Sequence, residues 1–262
     1  MNNPGASAKE KLLLQKLDSA FRSACRSTIG SELGGLEELR GFLTSTAPPP
    51  TARKSFISKK EVFLYSPQYP KKGTFLSDSE CPLLPPPKFS INEIKDIDSL
   101  LTAAKENFSY CGDKHLGKNF EITSSDGIMD CGFMHQTNAA YNSQYSCYSD
   151  ILLNSKYIFG CTYSAFCNFM VKSYHNYLSS RFFQSGYSHT SSDLHFCWRM
   201  EFSQECLFSM NQVNAKFMIG NIPLPREEYF PLKQKLLGEI ALEIQSKKSF
   251  PTIFELAGGG AK

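Results

Sequence analysis

Asn154-Ser-Lys-Tyr-Ile-Phe-Gly-Cys-Thr-Tyr-Ser-Ala-Phe-Cys-Asn-Phe-Met-Val-Lys-Ser-Tyr-His-Asn-Tyr-Leu178 is the stretch that decides the fold. Small polar residues recur in it, and residues three and five positions after each fall on the same side of a strand, because side chains alternate with period two. Asn154 leads to Tyr157 and Phe159, Ser164 to Cys167 and Phe169, and Ser173 to Asn176 and Leu178. The pattern extends from Ser143 to Asn221, with Ser192 leading to His195 and Cys197, Ser203 to Cys206 and Phe208, and Asn214 to Phe217 and Ile219. The leaders lie 10, 9, 19, 11 and 11 residues apart. The 19 counts as two units, with Phe182-Phe183 where a missing strand falls, so a pair of units gives a period of about 20, in the range of solenoids. The pattern predicts a mainly β chain with a β-solenoid, β-helix-like core over 116–222. Aromatic, aliphatic and Cys residues form its interior ladder, and Asn176 and His195, as polar members, need internal hydrogen bonds.

Outward from the array, residues 7–29 place Leu13, Leu14, Leu17, Phe21 and Ala24 at helical spacing, and Leu36, Leu39, Phe42 and Leu43 share a second stripe. Residues 1–47 therefore read as a helical N-terminal arm, whose stripes suit docking on the chain's own core. Pro48-Pro49-Pro50 and its Ser/Thr-rich flanks, 44–55, read as a stiff linker. Residues 48–115 read as a proline-linked, ribbon-like hairpin of Glu61–Tyr65 with Gly73–Leu76, punctuated by Pro85-Pro86-Pro87 and followed by a helix over 92–106. Beyond Asn221, Pro223 and Pro225 stop strand stacking, and residues 223–262 read as a capping helix and a flexible Gly-rich tail. Pro231 sets that helix's start near 230 or kinks it there. A solenoid end needs a cover for its last apolar coil and unpaired edge.

The 262 residues are 41% hydrophobic, enough for a substantial core. A net charge of +3 names no partner, although Lys59-Lys60 and Lys71-Lys72 make the first half mildly basic. No apolar run approaches the ~20 residues of a membrane-spanning helix, and the N-terminus lacks the apolar centre of a secretory signal. The expectation is an intracellular, cytoplasmic protein with no membrane partner, an organellar presequence being the alternative. Nine cysteines, most of them beside aromatics in the array, argue against a secreted disulfide framework and read as interior filling.

Glu205-Cys-Leu-Phe-Ser-Met-Asn-Gln-Val-Asn-Ala-Lys-Phe-Met-Ile-Gly-Asn-Ile-Pro-Leu-Pro-Arg-Glu-Glu-Tyr229 resembles the closing motif of uncharacterised zinc-ribbon-plus-repeat proteins of candidate-phyla bacteria. In that motif a Cys-rich coil runs into Lys-x-Tyr-Cys-Ile-x-Asn and then Lys-Glu-Glu-Tyr; Cys206, Asn214, Lys216, Ile219, Asn221, Glu227, Glu228 and Tyr229 match it, with Phe217 and Arg226 as similar substitutions. Tyr65-Ser66-Pro67 followed by Leu76-Ser77-Asp78-Ser79 resembles the ribbon's Tyr-Ser-Pro…Cys-Ser-Asp-Cys, with both cysteines absent, and Lys54–Ser58, where the other pair would fall, has none either. A tetrahedral zinc site needs four ligands, so the resemblance implies a ribbon-shaped hairpin without its metal. The resemblance covers roughly 55–240. Such proteins are often labelled CoA-transferase-like, a label that no residue pattern here supports.

No phosphate loop, His-Glu-x-x-His helix or Gly-x-Ser-x-Gly elbow is present. Cys161, Cys167, His175, His189 and His195 could pair as metal ligands or a Cys-His nucleophile, but neighbouring coils bring many such pairs together without function. His189 with Asp193 is the strongest polar cluster, on a segment read as a turn excursion. Glu121, Asp126 and Asp130 are the only acidic cluster near the start of the array, and acid–base work needs them in one cleft. Tyr163, Tyr174, Tyr177, Tyr187 and Trp198 could line an aromatic binding surface. The expectation is a non-enzymatic structural or protein-interaction module, a subunit of a larger assembly, with no cofactor and no metal. The alternatives are a β-helix enzyme acting on a sugar or acyl group, and a nucleic-acid or ribosome-associated binder using Lys59, Lys60, Tyr65, Tyr69, Lys71 and Lys72.

Overall fold

The computed structural model describes residues 8–66, 68–85, 88 and 95–257. The chain is mainly β, with a β-solenoid at its centre, a long helix at its N-terminus and another near its C-terminus. The helices are α1 (Ala8–Ile29), α2 (Arg40–Thr44), α3 (Ile97–Asn107), α4 (Arg226–Lys247) and α5 (Ile253–Ala257). Four strands precede the solenoid: β1 (Thr51–Lys54), β2 (Glu61–Leu64), β3 (Thr74–Ser77) and β4 (Ser109–Gly112). No helix among the described residues is long and apolar enough to cross a membrane.

The solenoid coil is twelve residues long, not about twenty. Gln144 pairs with Lys156 and Lys156 with Asn168 in one parallel sheet, while Asp150 pairs with Thr162 and Thr162 with Tyr174 in the other. Each coil contains two four-residue strands joined by two-residue corners. The leaders read from the sequence occupy different places in it: Ser173 and Ser203 are the second residues of corners, Asn154 and Asn214 the first, Ser164 lies inside a strand and Ser192 at a strand's start. Both kinds of position favour small polar residues, and mixing them blurred six and twelve into ten. The strand expected at Phe182-Phe183 is present as Ser180–Phe183. The segment 186–193 is no excursion, because Gly186 and His189 bridge to the coils on both sides.

The corners explain the Ser/Cys pattern. Ser125, Cys131, Thr137, Ser143, Ser149, Ser155, Cys161, Cys167, Ser173, Ser179, Ser185, Ser191, Cys197, Ser203, Ser209 and Ala215 recur every sixth residue, all buried. Ser155 Oγ donates to the Leu153 carbonyl at 2.8 Å and accepts the Cys167 N–H at 3.2 Å, one coil on. Cys161 Sγ does the same with the Phe159 carbonyl at 3.5 Å and the Ser173 N–H at 3.3 Å. A hydroxyl and a thiol are interchangeable here because each is small and can both donate and accept. Every third residue from Glu121 to Gly220 has positive φ, which bends the chain into so short a coil. For a non-glycine residue this conformation costs on the order of 1 kcal/mol, so a coil is stable only when stacked.

Two apolar clusters result. One fills the lumen, with Ile128, Ala140, Leu152, Ile158, Met170, Phe182, Leu194 and Met200 at the inward strand positions and Cys131, Cys161, Cys167 and Cys197 at corners. The other lies between the helices and the outer face of one sheet. There Leu13, Leu17, Phe21 and Ala24 of α1 and Ile240 and Ile244 of α4 meet Cys147, Phe159, Val171, Phe183 and Leu207. Phe21 and Phe159 meet edge to face at 5.2 Å. The α1 stripe thus docks on the chain's own core. Asn176 and His195 each make one internal hydrogen bond, while Asn176 Oδ1 and His195 Nδ1 stay buried without a partner among the described residues. Asn176 Nδ2 donates to the Ser185 carbonyl inside the lumen, whereas His195 lies outside it, under α1, and donates from Nε2 to the Thr28 carbonyl.

The segment before the solenoid differs from the expected hairpin. The antiparallel pair is β1 with β2, so part of the presumed linker is a strand, while β3 pairs in parallel with β4. The β1–β2 loop and the turn after β3 converge on Glu80. Its carboxylate accepts from Ser55 Oγ at 2.7 Å, Ser58 N at 3.1 Å and Ser77 N at 2.9 Å. Hydrogen bonds from Ser58, Ser55 and Ser77 hold its pKa at about 2, so the clamp is charged. The expected helix over 92–106 is α3, whose Asp96 cap follows residues outside the described set. Pro86, Pro87 and the tail 258–262 also lie outside it.

After Lys216–Ile219 the chain turns back in a short antiparallel pair, Met218 with Pro223, and enters α4 at Arg226. Asn221 Oδ1 accepts the Met210 N–H at 2.8 Å, standing where a further coil would have supplied a carbonyl. Pro231 does not set the start of α4: the helix begins five residues earlier and carries Pro231 inside its second turn, where it removes one intrahelical hydrogen bond. Tyr229 packs its ring on Phe217 at 5.5 Å.

Candidate interaction surface

Among the described residues, α1, α2 and α4 cover one side of the solenoid, and α5 reaches only the border of the other. The opposite sheet, with strands Asp150–Leu153, Thr162–Ala165 and Tyr174–Tyr177, turns its outer face to solvent. Tyr163, Tyr177 and Tyr187 are 46%, 43% and 49% exposed there, with Ile151, Leu153, Phe166 and Leu178 also exposed. The rings are mutually packed: Tyr163 meets His175 at 5.7 Å, Phe166 meets Tyr177 at 5.9 Å, and Tyr187 meets His189 at 5.9 Å and Trp198 at 6.0 Å. The patch exists because αL positions one coil apart stack on the same row. Ile151, Tyr163, His175 and Tyr187, all at αL positions, make one row, and Tyr141, Leu153, the buried Ala165, Tyr177 and His189 make a second at ordinary strand positions.

Along these strands the only charged residue between Asp150 and His189 is Asp150 itself, and burial pushes its carboxyl up to about 6. Gly186 is required for Trp198, since a Cβ there would lie 2.5 Å from the indole. Trp198 and Tyr174 bound the patch on one side, where Phe254 of α5 packs on them at 5.5 and 4.9 Å. A cavity of about 320 Å³ opens at that border, lined by Thr46, Thr162, Tyr174, His175, Trp198 and Phe254. Of the four tyrosines singled out in the sequence, Tyr174 is thus buried and the other three are exposed.

The remaining candidates are dispersed. His189 lies on the open face, whereas Asp193 lies at the margin of the covered sheet, its carboxylate held by Arg181 in two hydrogen bonds of 2.6 Å. Burial pushes the Asp193 carboxyl up, but the bonds from Arg181 outweigh it and the net shift is downward. Glu121 pairs with Lys16 of α1 at 3.1 Å. Asp126 is buried and accepts from Tyr65 N, Lys114 N and Lys114 Nζ, tying β2 to the first coil. Asp130 accepts the Lys118 N–H. Glu121, Asp126, Asp130, His189 and Asp193 therefore share no cleft. Cys161 and Cys167 are lumen corners, while His175 points outward and His195 lies under α1. Among the described residues no three His, Cys, Asp or Glu side chains group at metal-binding distance.

Lys59 lies at the β1–β2 loop, its ammonium 5.0 Å from the Phe56 ring, with Lys60 exposed beside it. Tyr65 is exposed at the end of β2, and Tyr69 is packed against Tyr110 and Phe75. Lys71 and Lys72 follow in an exposed turn, Lys72 sharing a cavity of about 360 Å³ with Lys105 and Tyr110. The aromatic patch was only half legible: its tyrosines were in view, but Phe166, Ile151 and Leu153 join them only once the twelve-residue register is known.

The fold defines the class, a two-sheet β-solenoid clasped on one side by helices. No protein-family model matches the chain, and neither the curated proteins nor the solved structures give a match.

Proposed function

We propose that this protein is a protein-interaction module that docks a protein partner on its open sheet, as one subunit of a larger assembly. The observation that carries this reading is the uncharged, aromatic outer face built from Tyr163, His175, Tyr177, Tyr187 and Phe166. Interface centres are depleted of charge and enriched in Tyr, Trp and Phe, and energetic anchors are most often Trp and Tyr. A stacked parallel sheet also holds those rings rigid before binding, which lowers the entropy lost on association. The reading has a direct test. The native protein is isolated under mild conditions and sedimented beside a Tyr163→Ala/Tyr177→Ala/Tyr187→Ala variant. The native form is expected to travel in a particle well above its own 29.4 kDa, and the variant as a folded free chain. A native protein that sediments alone, or a variant that stays in the particle, overturns the proposal.

A further inference from the structure

Seven of the nine cysteines are buried. Cys131, Cys161, Cys167 and Cys197 close corners, Cys206 fills the lumen, and Cys25 and Cys147 pack under the helices. Cys81 and Cys111 have no such place. They are the two that remain partly exposed, and the fold brings them together across about thirty residues of chain. Cys111 lies on β4 opposite Leu76 of β3, and Cys81 lies in the short 3-10 turn Asp78–Leu83 that follows β3. Cys111 Sγ lies 3.7 Å from Asp78 Oδ1 of that same turn, and Cys81 is close enough to act on the Cys111 thiol. Neither thiol takes part in the corner ladder, so packing alone gives no reason for the pair.

We propose that Cys81 and Cys111 form a dithiol site that exchanges with low-molecular-weight disulfides of the glutathione type and closes reversibly to a Cys81–Cys111 disulfide. The Cys81 thiolate attacks one sulfur of the oxidised reagent, forming a mixed disulfide and expelling one thiolate, which takes up the proton that Cys81 lost. The Cys111 thiolate then attacks the Cys81 sulfur and expels the second reagent thiol in the same way. Two protein thiols are oxidised and one disulfide is reduced to two thiols, so electrons and protons balance. The order follows from the surroundings. Burial first, and the neighbouring Cys81 second, push the Cys111 thiol up to about 12, which makes it the poorer initial nucleophile. Closure would join β4 to the residue next to Glu80, whose carboxylate clamps the β1–β2 loop to the turn after β3. The site is independent of the open sheet.

The full chain, fully reduced, is equilibrated with mixtures of reduced and oxidised glutathione, alkylated before and after unfolding, and mapped by mass spectrometry. The expected result is one intramolecular disulfide joining the Cys81 and Cys111 peptides, with the other seven cysteines alkylated only after unfolding. Cys111→Ser should stop at a stable glutathione adduct on Cys81, and Cys81→Ser should lose the cross-link, with circular dichroism confirming that each variant folds. All nine thiols still free in the most oxidising mixture, a bond between any other pair, or separate adducts on both thiols without a cross-link would overturn the proposal. If a variant fails to fold, the map of the unmodified chain decides alone.

Discussion

The two sheets of the solenoid share one backbone path and one set of Ser/Cys corners but face different surroundings. On the covered sheet, Cys147, Phe159, Val171, Phe183 and Leu207 are sealed by α1, α2 and α4; on the open sheet, the equivalent row turns Tyr141, Leu153, Tyr177, His189, Glu201 and Val213 outward, with only the small Ala165 buried among them. Similar apolar residues therefore do different work on the two sides. On one they hold the helices to the solenoid, and on the other they remain available. Apolar content alone does not separate stability from binding, but the position of α1 does.

The largest expected effect tests the covered side. Phe159→Ala removes a fully buried ring beneath Phe21 and should cost about 3–5 kcal/mol in urea unfolding. Were Phe159→Ala to cost no more than an open-sheet substitution, the distinction between the two sides would fail.

Acid should act unequally on the two sides. Burial pushes His135 and His195, both facing the helices, down to about 4. Between the usual value near 6.5 and 4, the unfolded chain takes up protons that the folded chain refuses. Stability is therefore full above about pH 6.5 and falls with acidification by about 1.4 kcal/mol per pH unit for each histidine. Asp150, beside the open sheet and pushed up to about 6, works in the opposite direction by binding its proton first in the folded state. Urea midpoints at pH 7 and pH 5 should show a net loss, and His195→Gln should reduce it. An unchanged pH dependence in that variant would remove His195 from the account.

The corners belong to both sides and should respond alike on each. Ser155→Ala strips the Cys167 N–H of its partner in a buried site and should cost about 1–3 kcal/mol, whereas Ser155→Cys should cost less than about 1 kcal/mol. Equal losses for Ala and Cys would mean that size, not hydrogen bonding, fills the corners. The smallest effect is expected for Tyr177→Ala on the open sheet, within about 0.5 kcal/mol by thermal or urea unfolding. A much larger loss would place that row in the stability core after all.

Much of this architecture could be read from residues. Alternation around Tyr157 and Phe159 was enough for a stacked β core, but it put the wrong side inward: Ile158 and Met170 line the lumen, whereas Tyr157, Phe159 and Phe169 lie outside it toward the helices and Cys167 closes a corner. The coil length itself was misjudged, because Asn154 and Asn214, first in their corners, look like Ser173 and Ser203, second in theirs. The run Ser143, Ser149, Ser155, Cys161, Cys167, Ser173, Ser179, Ser185, Ser191, Cys197, Ser203, Ser209 was the signal that could have fixed it. The hairpin was misassigned for another reason. β1 is the polar stretch Thr-Ala-Arg-Lys, whose strand character comes from its partner β2 rather than from its own propensity.

By itself the sequence determined that strands stack, that cysteines fill rather than bridge the interior, and that the array ends at Asn221 and the prolines that follow. Those properties depend on local alternation, residue size and backbone restriction. Only the tertiary structure decided which sheet the helices seal, which tyrosines stay exposed, and that Cys81 meets Cys111. These depend on contacts between residues distant in the chain, such as Phe21 with Phe159, which no local pattern encodes.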